Sequence, residues 1–370
     1  MTVQNRKTLF FYLLTTTTLL SSFGLLYVYA ASGMKGVELY QNSYYFFFKQ
    51  AITISLGFFL IFVLRRVPLS WLKNVPAPFL LLTLSLLALV FIPGAYSKVG
   101  GASRWLNLSL GGFRFQPSEA AKLALIFFLA KNLSRKSANI NRFWSGVFPN
   151  LLVCAVISAL LLLQPDFGTA VLLSLLTFLM LFVAGASRRF TIASCVLGVL
   201  GLATALIAAP YRLRRLLSFL DPWGNIHAGG FQIIQSFLAF QNGQLFGVGF
   251  GESKQKLFFL PEAHTDFIFS VLAEETGAFG VLLTSGLFFF LICICFKISL
   301  LQQNLYHKFL GFGMSSLLAI QSLFNMGVVT GLLPTKGIPL PFMSSGSSSL
   351  ITSFFIIGIL GRLASSTETI

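Results

Sequence analysis

The sequence predicts an all-α membrane protein with about ten transmembrane helices. Apolar residues make up 56% of the chain and charged residues only 10%, which is far outside the range of soluble globular domains. The apolar segments are roughly 20 residues long, which is the length a helix needs to cross a hydrocarbon core about 30 Å thick. Strands of a membrane barrel would instead alternate in polarity over about 10 residues.

Ten apolar segments lie between charged or turn-forming residues, and each predicts one membrane span. Their approximate ranges are 9–30, 46–64, 76–94, 117–133, 148–164, 169–187, 191–209, 267–296, 309–332 and 348–363. We expect a single membrane domain over residues 1–370, with a large external loop over residues 210–266 between the seventh and eighth helices.

The basic residues predict the orientation of these helices. With the N-terminus inside, the cytoplasmic segments are rich in Lys and Arg and contain Glu368 as their only acidic residue. This is the positive-inside pattern of multi-pass membrane proteins. An even number of spans then places both termini in the cytoplasm.

The long external loop is a candidate functional segment, because long loops in compact bundles are usually functional. Within it, residues 231–246 read FQIIQSFLAFQNGQLF, with apolar side chains at helical spacing. The pattern indicates either an interfacial helix that lies on the bilayer or a lid helix packed on the bundle.

Asp266 is the strongest catalytic candidate. It lies in LPEAHTDFIFSVLAEE (260–275), where the external loop returns to an apolar helix. Partial desolvation there raises the pKa of a carboxyl group, as a general base for a hydroxyl requires. The alternative is that Thr265 or Asp266 caps the next helix. For Glu274, deeper in the same helix, we expect a structural role.

Several other charges fall within or beside predicted spans, where an unpaired charge is costly. Glu119 and Lys122 are three residues apart on one helix face and predict an ion pair; the alternative is that they form the wall of a polar cavity. Lys49 lies near the external end of the second span, where it either snorkels outward or binds a lipid phosphate. Asp166 follows Pro165 and predicts a helix cap rather than a catalytic group.

The external face also carries a basic cluster, YRLRRLLSF (211–219), with Arg212, Arg214 and Arg215. Guanidinium groups bind phosphate with paired hydrogen bonds, so the cluster fits an anionic ligand at the membrane surface. Contact with anionic lipid headgroups is the alternative. The fold and the compartment exclude nucleic acid as a partner.

Five motifs together resemble the SEDS family, which includes FtsW, RodA and SpoVE, and the resemblance is closest to its FtsW branch. They are GASRW with FRFQPSEAAK, LQPDFGTA, YRLRRLLSFLDPW, LPEAHTDFIF, and NMGVVTGLLPTKGIPLPFMSSGSSS. The match extends over nearly the whole chain.

The resemblance implies a peptidoglycan glycosyltransferase that polymerises lipid II into glycan strands on the outer face of the cytoplasmic membrane, at the division septum. It also implies a class B penicillin-binding transpeptidase and other division proteins as partners. One departure from the family is found at residues 344–349, where Ser-Ser-Gly-Ser-Ser-Ser stands in place of the usual Ser-Tyr-Gly-Gly-Ser-Ser.

The resemblance further implies roles for individual residues. Asp266 corresponds to the family's essential external aspartate, and Glu119 and Lys122 correspond to its intramembrane ion pair. The implied substrate or loop contacts are Arg104, Arg212, Arg214 and Arg215.

The residues and the resemblance together predict a transfer in which Asp266 takes the proton from the acceptor sugar hydroxyl. The basic cluster, Arg104 or a divalent cation, Mg²⁺ or Mn²⁺, would neutralise the departing diphosphate. No organic cofactor is expected, and the sequence identifies no metal ligands. Two alternatives remain open, a lipid II flippase and a scaffold without catalysis.

Overall fold

The computed structural model describes residues 3–92, 96–99, 102–107, 114–136, 140–226, 229–256 and 260–365. Its helices are α1 (Val3–Tyr40), α2 (Tyr45–Arg66), α3 (Leu69–Leu72), α4 (Pro76–Leu89), α5 (Pro117–Arg135), α6 (Phe148–Leu163), α7 (Phe167–Val183), α8 (Arg188–Ile207), α9 (Pro210–Leu220), α10 (Gly230–Gly243), α11 (Ile268–Leu300), α12 (Leu305–Val329) and α13 (Ser347–Ser365). A π-helical turn (Phe143–Val147) precedes α6.

Helices occupy all ten predicted spans. Within the described ranges, seven helices are long and apolar enough to cross a membrane, and α4 and α7 are shorter apolar helices. The remaining predicted span, the fourth along the chain, is α5, which begins at Pro117, as the sequence suggested, and contains buried charged residues. The predicted helical membrane class is confirmed. That all ten helices cross the membrane remains a prediction.

One small sheet departs from the all-α prediction. Three antiparallel strands, β1 (Tyr96–Val99), β2 (Ala102–Asn107) and β3 (Arg114–Phe115), pair in the order β1-β2-β3. The sequences of β1 and β2, YSKV and ASRWLN, do not alternate between apolar and polar residues, so only the pairing identifies these strands. The last strand leads directly into α5, which places the sheet at the N-terminal end of that helix.

The centre of the bundle is formed by α5, α12 and α13. In the most apolar stretch of α12, 72% of the residues are buried within the protein, and in that of α13, 78% are buried. α2 packs closely on α13, and a Cβ added at Gly57 would overlap the Phe354 ring. In the most apolar stretch of α8, by contrast, only 6% of the residues are buried, so α8 lies at the periphery of the bundle.

The segment between α8 and α11 contains α9 and α10. α10 packs on the bundle through Ser236, whose hydroxyl lies 2.7 Å from Ser270 Oγ of α11 and donates to Val329 O of α12 at 2.6 Å. Ile233, Ile234 and Ala239 of α10 are buried. These contacts support the lid-helix alternative over a helix that lies only on the bilayer.

Candidate active site

A partly open cavity with about 550 Å³ of empty space lies where α7 and α9 meet the chain segment that follows α12. Four basic side chains from three parts of the chain line this cavity: Arg104, Arg212, Arg215 and Lys336. Asp166 also lines it. The cavity is therefore predominantly basic, as a site for a phosphorylated ligand would be.

Asp266 lies at the edge of this cavity, in the turn before α11. Gly337 lines the cavity, and a Cβ added there would lie 3.1 Å from Asp266 Oδ2. A larger residue at this position would crowd the carboxyl group, so glycine keeps the edge open. The side chain of Asp266 is half-buried.

The environment of Asp266 raises its pKa to about 7. Burial is the main cause because it penalises the charged form, and the nearby carboxylate of Glu262 acts in the same direction. Arg215 and Arg104 lower the pKa, though by less. Asp266 is thus a carboxyl group that can exchange a proton near neutral pH, as expected from the sequence.

The helix-cap alternative for this region is wrong. α11 begins at Ile268 with Phe267 as its N-cap residue, and no side chain makes a capping hydrogen bond there. The hydroxyl of Thr265 instead donates to the Glu262 side chain at 2.9 Å. The carboxyl group of Asp266 is therefore not committed to capping α11.

Two neighbouring segments hold the Asp266 turn. Asn325 Nδ2 of α12 donates to Asp266 O at 2.8 Å and to Ile338 O at 2.9 Å. The hydroxyl of Ser344 donates to Thr265 O at 2.6 Å, and the backbone N–H of Ser345 donates to His264 O at 3.0 Å. At Ser345, one of the positions that depart from the family pattern, this contact is made by the backbone and does not depend on the side chain.

Arg104 and Arg212 both donate hydrogen bonds to backbone carbonyls. Arg104, on β2, donates to Gln164 O at 3.1 Å and to Pro165 O. Arg212 donates to Ala205 O at 2.6 Å, to Leu162 O at 3.0 Å and to the Tyr211 hydroxyl at 2.9 Å. Arg104 therefore attaches the sheet to the end of α6, and Arg212 attaches α9 to the ends of α6 and α8, while both residues line the cavity.

The remaining predicted contacts differ in position. Arg215 is exposed and lines the cavity, whereas Arg214 is exposed and is not among its lining residues. Lys49 is half-buried on α2 and also lies outside the lining of this cavity. Substrate contact by Arg214 or Lys49 remains a prediction.

Lys336 is a site residue that the sequence reasoning missed. Burial lowers its pKa to about 8, although the nearby carboxylate of Asp166 raises it. Its ammonium group lies 5.1 Å from the centroid of the Phe167 ring and 5.5 Å from that of Phe324. The available signal was a single cation in the proline-rich segment LLPTKGIPLP, which is too weak to identify a site without the fold.

Asp166 caps α7, as predicted. Its Oδ1 accepts from the backbone N–H of Thr169 at 3.3 Å, and its Oδ2 accepts from the Thr169 hydroxyl at 2.9 Å. The cap fixes this carboxylate in the cavity wall and accounts for both of its oxygens.

The predicted intramembrane ion pair is also present. Lys122 Nζ lies 2.7 Å from Glu119 Oε1, and the two side chains are only 3% and 4% exposed. Neither residue lines the basic cavity. The pair therefore lies inside the bundle, in agreement with the structural interpretation rather than the cavity-wall alternative.

Glu274 has the structural role expected for it. It is 1% exposed and accepts hydrogen bonds from Asn242 Nδ2 at 3.1 Å, from the backbone N–H of Gln255 at 3.2 Å and from the Ser253 hydroxyl. The adjacent Glu275 pairs with Lys256 at 3.2 Å. The two carboxylates thus attach the loop after α10 to α11.

The same loop supplies hydrogen bonds where helix α11 is interrupted. Gly277 has φ 63° and ψ −161°, which interrupts the helical hydrogen bonds. The loop supplies replacements: the N–H of Val248 bonds Glu274 O at 3.0 Å, and the N–H of Ala278 bonds Gln244 O at 2.9 Å. The backbone groups freed by the break therefore find hydrogen-bond partners in the loop.

The side chains around the cavity do not form a metal site. The described ranges contain no group of three or more His, Cys, Asp or Glu side chains placed to hold a metal ion. The cavity is lined by four cationic side chains, and the cap occupies both oxygens of Asp166. This donor set fits an anion and does not fit a divalent cation held by the protein alone.

The fold and the site define a polytopic membrane protein with a basic cavity and a high-pKa aspartate at one end of its helical bundle. Residues 10–369 match the family model for the FtsW/RodA/SpoVE group, described as cell cycle protein. The chain belongs to this family, so the resemblance inferred from the motifs is confirmed.

Similar proteins cover almost the whole chain. A Geobacter sulfurreducens protein named probable peptidoglycan glycosyltransferase FtsW is 44% identical over 92% of this chain and 91% of its own length. A protein of the same name from Saccharophagus degradans is 40% identical, with 98% of this chain and 94% of that protein covered.

Solved structures share the fold. A chain from a peptidoglycan synthase complex, described as coordinating polymerization and crosslinking, matches with a TM-score of 0.77 at 30% identity, covering 95% of this chain and 96% of its own. The rod shape determining protein RodA of Thermus thermophilus matches with a TM-score of 0.70 at 28% identity, covering 95% of each chain.

Proposed function

We propose that this protein is a peptidoglycan glycosyltransferase that polymerises lipid II into glycan strands during cell division. The name shared by its relatives, at 40–44% identity over more than nine-tenths of both chains, supports this activity. The observation that carries the proposal is the half-buried carboxyl group of Asp266, with a pKa of about 7, at the edge of a basic cavity.

The chemistry assigns Asp266 the role of general base. Its carboxylate accepts the proton of the acceptor sugar 4-hydroxyl as that oxygen bonds to the anomeric carbon of the donor sugar. The bond from the anomeric carbon to the diphosphate oxygen breaks on the opposite face, so the configuration inverts. A base with a pKa near the working pH suits this proton transfer.

The leaving diphosphate needs positive charge, and the cavity provides it. Arg215 and Lys336 face the cavity from α9 and from the segment after α12, and Arg104 faces it from the sheet. Fixed cations that lie where negative charge develops stabilise a transition state without having to reorganise. A divalent cation, if the reaction uses one, would be carried by the diphosphate.

The position of the cavity suits a lipid-linked substrate. Leu206 near the end of α8 and Leu216 of α9 line it beside the arginines. α8 is a peripheral helix of membrane-spanning length. The polar head of a membrane lipid can therefore occupy the cavity while its chain stays in the bilayer beside α8.

The partners and the location are part of the same proposal. The similarity to a chain from a peptidoglycan synthase complex supports assembly with a penicillin-binding protein, which we assign to the class B transpeptidases. We place the protein in the cytoplasmic membrane at the division septum, with both termini cytoplasmic. Lipid II then binds at the outer face.

The flippase alternative has less support from the geometry. A transporter needs polar groups available along a path at membrane depth. Here Glu119 and Lys122 bond to each other at 2.7 Å and are buried. The charges proposed to contact the substrate lie instead around the basic cavity, at the same end of the bundle as Asp266.

Purified lipid II, supplied to the protein together with its transpeptidase partner, tests the activity. We expect glycan strands that a muramidase degrades, and no strands when the acceptor 4-hydroxyl is blocked. Lipid II translocated in vesicles without any strands would favour the flippase. If a folded complex with its partner produces no strands and translocates no lipid II, the scaffold alternative is favoured.

A further inference from the structure

A second cavity lies at the other end of the helical bundle and has no part in the reaction above. It is open to solvent, and its empty space, part of which is continuous with solvent, is about 900 Å³. Three cationic side chains from two separate parts of the chain line it: Lys73 after α3, and Lys131 and Arg135 in the last turns of α5. No acidic side chain is among its lining residues.

The geometry of the helices sets the distance between the two cavities. α5 begins at Pro117, next to the sheet that carries Arg104, and Lys131 follows 14 residues later. At 1.5 Å per residue this is about 21 Å along the helix axis. α12 runs the opposite way, from Tyr306 at the second cavity to Asn325 beside Asp266, a rise of about 29 Å.

The walls of the second cavity are held in place by hydrogen bonds. The Tyr306 hydroxyl donates to Leu72 O at 2.7 Å, which fixes the turn that carries Lys73 against the start of α12. Asn304 Oδ1 accepts from the backbone N–H of Tyr306 at 3.0 Å and caps α12. The first turn of α12 therefore faces the cavity, and the positive end of its dipole adds to the basic side chains.

Charge balance indicates an anionic ligand. Among the described residues the ion pairs are Lys35–Glu262, Lys122–Glu119 and Lys256–Glu275, so none of the three cavity cations is neutralised by a carboxylate. The only acidic residue predicted for this face is Glu368, which lies outside the described residues. The described part of the chain therefore leaves three cations available to an anionic ligand at this cavity.

The surroundings favour a lipid over a soluble anion. The cavity lies where α5 ends and α12 begins, beside Leu305, which is 44% exposed. Trp71, two residues before Lys73, is 57% exposed, and exposed tryptophans are typical of the membrane–water interface. Basic pockets between helices at this level bind the head groups of anionic lipids.

We propose that the cavity lined by Lys73, Lys131 and Arg135 binds the phosphate of an anionic phospholipid in the leaflet opposite the active site. Arg135 offers paired donors to phosphate oxygens, and the two lysines act as point charges. The exposed apolar edge at Leu305 and Trp71 lies beside the acyl chains.

Native mass spectrometry of the purified full-length protein with added phosphatidylglycerol tests this assignment. We expect the combined K73Q, K131Q and R135Q variant to retain at least about tenfold less phosphatidylglycerol than the wild type, since it removes all three cationic groups that would contact the lipid phosphate in this cavity. A control removes the same number of charges from exposed arginines outside the cavity, through R142Q, R188Q and R189Q. It should retain the lipid within twofold of the wild type.

Three outcomes would overturn the proposal. They are equal loss in the cavity variant and the control, no loss in the cavity variant, and equally tight retention of zwitterionic phosphatidylcholine by the wild type. Displacement of the lipid by excess inorganic phosphate would reassign the cavity to a soluble anion. If the combined variant does not fold, K131Q alone should show a smaller loss, and K131R should restore retention.

Discussion

Asn325 Nδ2 donates to Asp266 O at 2.8 Å and to Ile338 O at 2.9 Å, so one side chain of α12 joins two segments of the active site. One is the turn that carries the proposed base. The other follows Lys336 and Gly337, which line the basic cavity. The distance between the base and the cations therefore depends on this amide.

Replacing Asn325 with leucine should reduce both stability and activity. The change leaves two backbone carbonyls without their donor, at a cost of roughly 1–3 kcal/mol for each buried group. We expect a lower melting temperature in detergent and polymerisation at least tenfold slower than wild type.

Gln321, one turn earlier on α12, provides the control for this variant. It is 1% exposed, and its Nε2 has no hydrogen-bond partner among the described residues. Gln321→Met should therefore melt close to wild type. Equal effects of the two substitutions would show that the Asn325 amide has no special positioning role.

The acid side of the pH–rate profile should report Asp266. A general base works only when deprotonated, so the rate should fall as the pH drops below the pKa of about 7. The carboxylate of Glu262 helps to raise this pKa. Glu262→Gln should therefore move the acid limb to lower pH, while Glu252→Gln, an exposed carboxylate elsewhere in the loop, should not.

The profile is measured as initial polymerisation rates at saturating lipid II. An acid limb that stays in place, or that moves to higher pH in Glu262→Gln, would contradict the assignment of this limb to Asp266.

At alkaline pH, the affinity for lipid II should report the loss of the positive charge of Lys336. Its pKa is lowered to about 8, so it loses its positive charge above that pH and holds a diphosphate less well. KM for lipid II should rise above pH 8. An arginine keeps its charge to about pH 12 or higher, so Lys336→Arg should abolish the rise and Lys336→Gln should give a high KM throughout. An unchanged KM in Lys336→Gln would remove this residue from the substrate site.

The break in α11 makes a prediction about stability. At Gly277 φ is 63°, and an added Cβ would lie 2.5 Å from the backbone nitrogen of Gly247. Gly277→Ala should therefore displace the loop and lower the free energy of unfolding by more than about 1 kcal/mol. Gly286 of the same helix has open space around it, so Gly286→Ala should be neutral or stabilising. Equal melting temperatures for the two variants would contradict this account.

Much of the fold could be predicted from the sequence, because membrane helices are specified by local composition. All ten apolar segments are helical, and the ion pair of Glu119 and Lys122 follows from spacing within one helix. Asp266 could be identified because it precedes an apolar helix, where desolvation raises the pKa of a carboxyl group, and because it matches the essential external aspartate that the resemblance implies. These features need no knowledge of tertiary contacts.

The rest of the site depends on contacts between distant parts of the chain. Asn325 and Lys336 lie 59 and 70 residues after Asp266 in the sequence, and nothing local predicts that they lie beside it. Arg212 looked like a ligand contact, but its guanidinium group also bonds the ends of α6 and α8. That use depends on where those helices end in space. The second cavity was missed for the same reason, because its cations are separated in the chain.

The central claim is that Asp266 is the catalytic base. We would measure lipid II polymerisation at pH 8 by two separate variants, Asp266→Asn and Glu262→Gln, and compare each with the wild type. The melting temperature of each variant checks that it is folded. The account predicts strands from Glu262→Gln at near the wild-type rate and a loss of roughly 10²–10⁴-fold in Asp266→Asn, the usual contribution of a general base. A folded Asp266→Asn protein that polymerises within a few-fold of wild type would contradict it.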